Sequence, residues 1–136
     1  MDEKKMVVGY GYVAELLREH GGAAVARVNA EHPDGLVLEG FRDVGVFGVR
    51  PRSLPCLSLS FGRAVLGDKD RAVGSGAYVI RIELHLRALG RDAGRRRGRY
   101  MDALRMLFEE HEFDGVWERA RVTGWEGNVM EVRVEV

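Results

Sequence analysis

The stretch GAYVIRIELHLRAL, Gly76 to Leu89, sets Tyr78, Ile80, Ile82, Leu84 and Leu86 against Val79, Arg81, Glu83, His85 and Arg87 in strict alternation. Only Val79 breaks the polar character of the second set. Successive side chains of an extended chain point to opposite faces, so this period of two predicts a long amphipathic β-strand. Its apolar face must be covered by another element. Its charged face is left for solvent or a partner.

Upstream, Leu57, Leu59 and Phe61 alternate with Ser58, Ser60 and Gly62, which predicts a second strand over Leu57 to Val65 behind Pro51 and Pro55. Leu66 to Gly76 is rich in Gly, Asp and Ser and reads as a mobile loop (66–76) joining the two strands into a hairpin. Downstream, Tyr100, Leu104, Leu107, Phe108 and His111 form one stripe at helical spacing. A covering helix is expected from about Gly98 to His111, or from Asp92 if that residue is the N-cap. Trp117 to Thr123 and Val129 to Val136 read as a second hairpin turning across Gly124 to Asn128.

At the other end, Tyr10, Val13, Leu17, Ala24 and Val28 predict a helix from about Met6 to Ala30, with residues 1–5 disordered before it. Gly21 and Gly22 each cost about 1 kcal/mol against alanine inside a helix, so a break is expected there. His32-Pro33-Asp34-Gly35 is a turn. Leu36 to Phe41 and Val44 to Val49 carry enough β-branched and aromatic residues for two weak strands or one kinked strand. The whole predicts one α+β domain spanning 1–136, with a mostly antiparallel sheet of about four or more strands under a helix, and an additional N-terminal helix.

With 136 residues, 46% of them hydrophobic, the chain is long enough to bury a modest core without metal or disulfide. The single cysteine, Cys56, has no internal disulfide partner. No charged-then-apolar leader opens the sequence, so a reducing cytoplasm is the expected compartment. The apolar runs are too short to span a membrane as a helix. Twenty-one basic residues balance 21 acidic ones, a formal net charge of +0. That balance gives no overall bias towards nucleic acid and little self-repulsion against association.

Catalytic and metal-binding chemistry finds little purchase. His20, His32, His85, His111 and Cys56 lie at no metal-ligand spacing from one another. Asp68 and Asp70 form a DxD pair, but Lys69 and Arg71 flank them and the further ligands of a calcium loop are missing. A solvated or partner-facing loop suits them better. Gly67 to Gly76 holds no phosphate-binding loop and precedes a strand rather than a helix. No nucleophile elbow and no Ser, His and acid grouping emerges. No enzyme activity and no cofactor are expected.

What remains is surface. Arg95, Arg96, Arg97 and Arg99, with Arg91 nearby, concentrate positive charge where it opposes a helix dipole, so helix stability does not explain them. Contact with a partner protein is favoured over DNA because the chain is neutral and no aromatic residues interleave the arginines. Trp125, in the expected turn, suits either an interface anchor or a ring packed on the turn itself. Arg81, Glu83, His85 and Arg87 are mixed charges on the free face of the strand at 76–89.

The N-terminal helix, the proline-bounded strand at Pro55-Cys56-Leu57-Ser58-Leu59, the long polar loop, the Tyr78 to Leu86 strand, the Arg99 to Phe113 helix and the terminal hairpin together resemble the tail terminator, or tail completion, proteins of long-tailed bacteriophages and prophages. The β-like content of Gly35 to Val49 departs from that pattern. The resemblance implies a minor tail protein that forms a homo-oligomeric ring, usually a hexamer. Such a ring caps the tail tube, meets tail tube and head connector proteins, and lets DNA pass through its lumen without specific binding. It implies a place in the host cytoplasm during assembly and then in the virion tail, with no membrane partner and no catalytic residue. Two other readings stand beside it: a head-tail connector or neck protein, and a small nucleic-acid-binding module using Arg95 to Arg99. A metal-dependent hydrolase using Asp68 and Asp70 is a third.

Overall fold

A computed structural model describes residues 3–46, 53–65, 77–87, 90–113, 117 and 119–135. The element order is α1 (Glu3–Glu31), β1 (Asp43–Gly45), β2 (Cys56–Val65), β3 (Ala77–His85), α2 (Ala93–Glu110), β4 (Arg119–Glu126) and β5 (Val129–Glu135). The five strands form one sheet in the order β1-β2-β3-β5-β4. Only β1 and β2 run parallel; every other pair is antiparallel. This is the α+β class that the alternation at Gly76 to Leu89 and the stripe at Tyr100 to Phe108 predict.

Register explains why the sheet has one greasy face. Leu57 pairs with Leu84, Leu59 with Ile82 and Phe61 with Ile80; across the other edge of β3, Tyr78, Ile80 and Ile82 pair with Val134, Val132 and Met130. Directly paired residues share a face, so these side chains form a continuous apolar layer. Helix α2 covers it with Tyr100, Met101, Ala103, Leu104, Leu107 and Phe108, all buried. Helix α1 adds Val13, Leu17, Val25 and Val28 to the same core.

Several boundaries differ from expectation, each for a local reason. Helix α1 runs unbroken through Gly21 and Gly22. A Cβ on Gly21 would sit 3.1 Å from the Phe41 ring, so this glycine is where the helix lets the 36–42 segment approach. The helix also starts at Glu3, which puts Glu3 to Lys5 in its first turn rather than in a disordered tail. Helix α2 takes the earlier of its two expected starts, at Ala93 after Asp92, although the Asp92 side chain makes no capping hydrogen bond, and so winds Arg95, Arg96, Arg97 and Arg99 onto its first two turns. The C-terminal hairpin turns across Gly127 and Asn128 alone. Gly127 has φ +58, and Gly124 to Glu126, expected in the turn, pair with β5 beyond a β-bulge between Val122 and Gly124. Trp125 therefore lies in β4, an edge strand, and not in a turn.

The segment Leu36 to Phe41 is not a strand despite its composition. Side chains meet its backbone groups instead: the Asn29 amide donates to Leu38 O (3.0 Å) and accepts from Leu38 N–H (2.8 Å). Arg99 donates to Leu36 O at 3.2 Å, and the Tyr100 hydroxyl to Glu39 O at 2.6 Å. With those groups satisfied, the segment needs no ladder. Only Asp43 to Gly45 pairs as a strand; residues 47–49 lie outside the described residues, as does the 66–76 loop.

Candidate assembly surface

Both helices lie on the apolar face of the sheet, and among the described residues no helix covers the opposite face. Across β2, β3, β5 and β4 that face carries cross-strand rows. Ser58, Glu83, Val129 and Glu126 form one, and Ser60, Arg81, Glu131 and Gly124 the next. Arg63, Val79, Arg133 and Arg121 form a third. Arg81 and Glu83 are exposed here, as their alternation predicts. The stem of Arg81 lies over Gly62, where an added Cβ would come within 3.2 Å of Arg81 Cγ. Val79, the apolar exception, is buried among these long polar side chains at 2% exposure. Arg121 sits directly opposite Arg133, a like-charge pair that β-sheets disfavour. Glu135 stands 3.4 Å from Arg133 Nε and offsets part of that repulsion.

His85 shares this face and forms a hydrogen bond between Nε2 and Ser58 Oγ at 2.8 Å. Register makes that pair, because Ser58 opposes Glu83 and His85 is two residues further along β3. Sequence spacing alone does not show it. The expected pairing of the two strands, followed down to individual side chains, does. Cys56, directly opposite His85, is 1% exposed, and burial pushes its thiol pKa up, with Asp43 adding to the effect. A protonated, buried thiol is a poor nucleophile.

The arginine group divides. Arg99 grips Asp34 with both Nη atoms, Nη1 to Oδ1 at 3.0 Å and Nη2 to Oδ2, and Arg95 Nη2 adds a bond to Oδ2 at 2.6 Å. The Arg99 hydrogen bond holds the Asp34 carboxyl well below the usual carboxylate range, and the same bond raises the Arg99 pKa. These two arginines therefore tie the turn after α1 to the start of α2. The charge that opposes the helix dipole is compensated by a carboxylate from another part of the chain. Arg97 is exposed. Arg96 turns towards a cleft of about 650 Å³ that Arg42 and Arg87 also line, with Val37, Leu54 and Pro55 as apolar wall. Arg87 thus leaves the charged sheet face of its strand neighbours and belongs to this cleft.

Trp125 is 49% exposed and borders a groove of about 350 Å³ with Arg81, Gly124 and Glu131. Asp68 and Asp70 lie outside the described residues. His20 and His111, far apart in sequence, stack with ring centroids 4.4 Å apart where α1 meets the end of α2. Among the described residues no three His, Cys, Asp or Glu side chains group to hold a metal ion. No described helix is long and apolar enough to cross a membrane. No protein-family model matches the chain, and no curated protein matches it in sequence.

Proposed function

We propose that this protein is a structural assembly subunit of a phage or prophage virion, of the tail-terminator kind that its element order resembles. It would associate with copies of itself into a ring that caps the tail tube and meets the head connector. The observation that carries this reading is the one-sided sheet. Both helices cover one face, and the other presents rows that mix Arg with Glu, while Trp125 is exposed in the edge strand β4 opposite Met130. Interleaved charges of both signs fit a protein surface of matching pattern better than a polyanion, which rewards unbroken positive charge. Engagement of Arg95 and Arg99 by Asp34 further weakens the case for phosphate contact by that cluster.

A subunit of this kind acts by binding alone. Apolar anchors supply affinity, and charge rows set orientation and suppress wrong partners. Native mass spectrometry at micromolar concentration tests the reading. One discrete closed oligomer is the expected result; a strict monomer across concentration and salt would overturn it.

A further inference from the structure

Three exposed apolar side chains stand in two places on the molecule. Val37, 66% exposed, and Leu54, 40% exposed, wall the 650 Å³ cleft beside the first turns of α2. Phe113, 72% exposed, stands just beyond the last turn of the same helix. An 18-residue helix is about 27 Å long, so cleft and phenyl ring lie at opposite ends of α2.

Their charges are complementary. Among the described residues the cleft sets three guanidinium groups, Arg42, Arg87 and Arg96, against one carboxylate, Glu39, which stands 3.6 Å from Arg42. Phe113 follows Glu110 and Glu112, and Glu109 before them is paired with Arg105 at 2.7 Å. The backbone carrying Phe113 is also pinned: Trp117 Nε1 donates to His111 O at 3.2 Å, Ala120 N–H to Glu112 O at 2.9 Å, and Arg119 Nε to Glu112 Oε1 at 2.7 Å. A large apolar ring held in water on a fixed backbone is preorganised to insert. The ion pairs of Glu110 with Arg27 and of Glu112 with Arg119 both fall on Oε1, and a carboxylate accepts on two oxygens.

We propose that Phe113 of one subunit inserts between Val37 and Leu54 of the next copy, with Glu110 and Glu112 meeting the guanidinium rim of Arg42, Arg87 and Arg96. This contact rests on the self-association proposed above and gives it a geometry. One end of the subunit meets the other end of its neighbour, a heterologous interface that generates a ring where the rotation closes. Burial of the phenyl ring supplies affinity and the rim supplies orientation.

The test uses the full chain in three forms: unaltered, Phe113→Ser, and the double variant Arg42→Glu with Arg87→Glu. Oligomeric state is read by native mass spectrometry and sedimentation, with circular dichroism as the check on folding. The unaltered chain should form its oligomer, while either variant weakens association by about tenfold or more. An equimolar mixture of the two variants should give a dimer and nothing larger, because only one intact ring and one intact cleft then remain per pair. Variants that keep the full oligomer, or a mixture that stays monomeric, would overturn this contact while leaving the ring reading standing. An unaltered chain that is monomeric throughout would remove both. Phe113→Ser suffices alone if the double variant misfolds, since the ring is largely outside the core.

Discussion

Asp34 and Arg99 lie 65 positions apart in the chain and face each other as a two-pronged ion pair, each guanidinium Nη donating to its own carboxylate oxygen. The carboxyl pKa is depressed in the folded protein by the Arg99 hydrogen bond, with Arg95 adding its charge. A depressed carboxylate contributes stability that is fully present above its unfolded pKa, about 4, and is lost as pH falls towards the folded value. Asp34→Asn should therefore lower the thermal midpoint at neutral pH. The difference from the unaltered chain should shrink as pH falls below about 4. Melting curves across that range check it, and a pH-independent difference would assign the effect to shape rather than charge.

The adjacent glycines of α1 should respond unequally to alanine. Gly22 is exposed, and nothing lies within 4 Å of the place its Cβ would take, so Gly22→Ala should stabilise by up to about 1 kcal/mol through helix propensity. Gly21→Ala gains the same propensity but drives a methyl to 3.1 Å from Phe41 Cδ2. Urea denaturation should show the Gly21 variant distinctly less stable than the Gly22 variant.

The two faces of β3 should separate folding from association. Ile82 is fully buried, and Ile82→Ala should cost about 2 to 5 kcal/mol. Glu83, next to it and exposed, should change stability by less than about 0.5 kcal/mol on reversal to Arg. If the open face meets a partner, the Glu83 reversal should nonetheless disturb the oligomer. Denaturation and sedimentation of the same two variants give both readings.

Cys56 should be silent to thiol reagents in the native state. It is 1% exposed, and burial raises its pKa, so little thiolate exists and little of it is reachable. Labelling with an aromatic disulfide should proceed only as fast as the chain opens, and should speed up in parallel with unfolding as urea is added.

The alternation at Tyr78 to Leu84 made the sheet legible, because a period of two fixes both the strand and its buried face. Phe108 and its neighbours did the same for the covering helix. What could not be read was whatever depends on distant partners. Gly21 looks like a helix breaker until Phe41 is beside it. Leu36 to Phe41 looks like a strand until Asn29, Arg99 and Tyr100 occupy its backbone. Arg95 and Arg99 look like a free basic cluster until Asp34 faces them. The surface candidates Arg81 and Glu83 were legible because exposure follows from strand parity; Trp125 is exposed too, but in an edge strand opposite buried Met130 rather than in the turn that the sequence suggests. The cleft at Arg87 was not, because segments separated by dozens of residues enclose it.

The way Asn29, Arg99 and Tyr100 hold the segment from Leu36 to Glu39 has a thermodynamic consequence. Its amide and carbonyl groups are guarded by side chains of two helices rather than by neighbouring strands. Deuterium uptake there should follow separation of the helix pair and not fraying of the sheet. Since Val37 belongs to this segment and walls the cleft, anything that seats against it should slow exchange at Leu38.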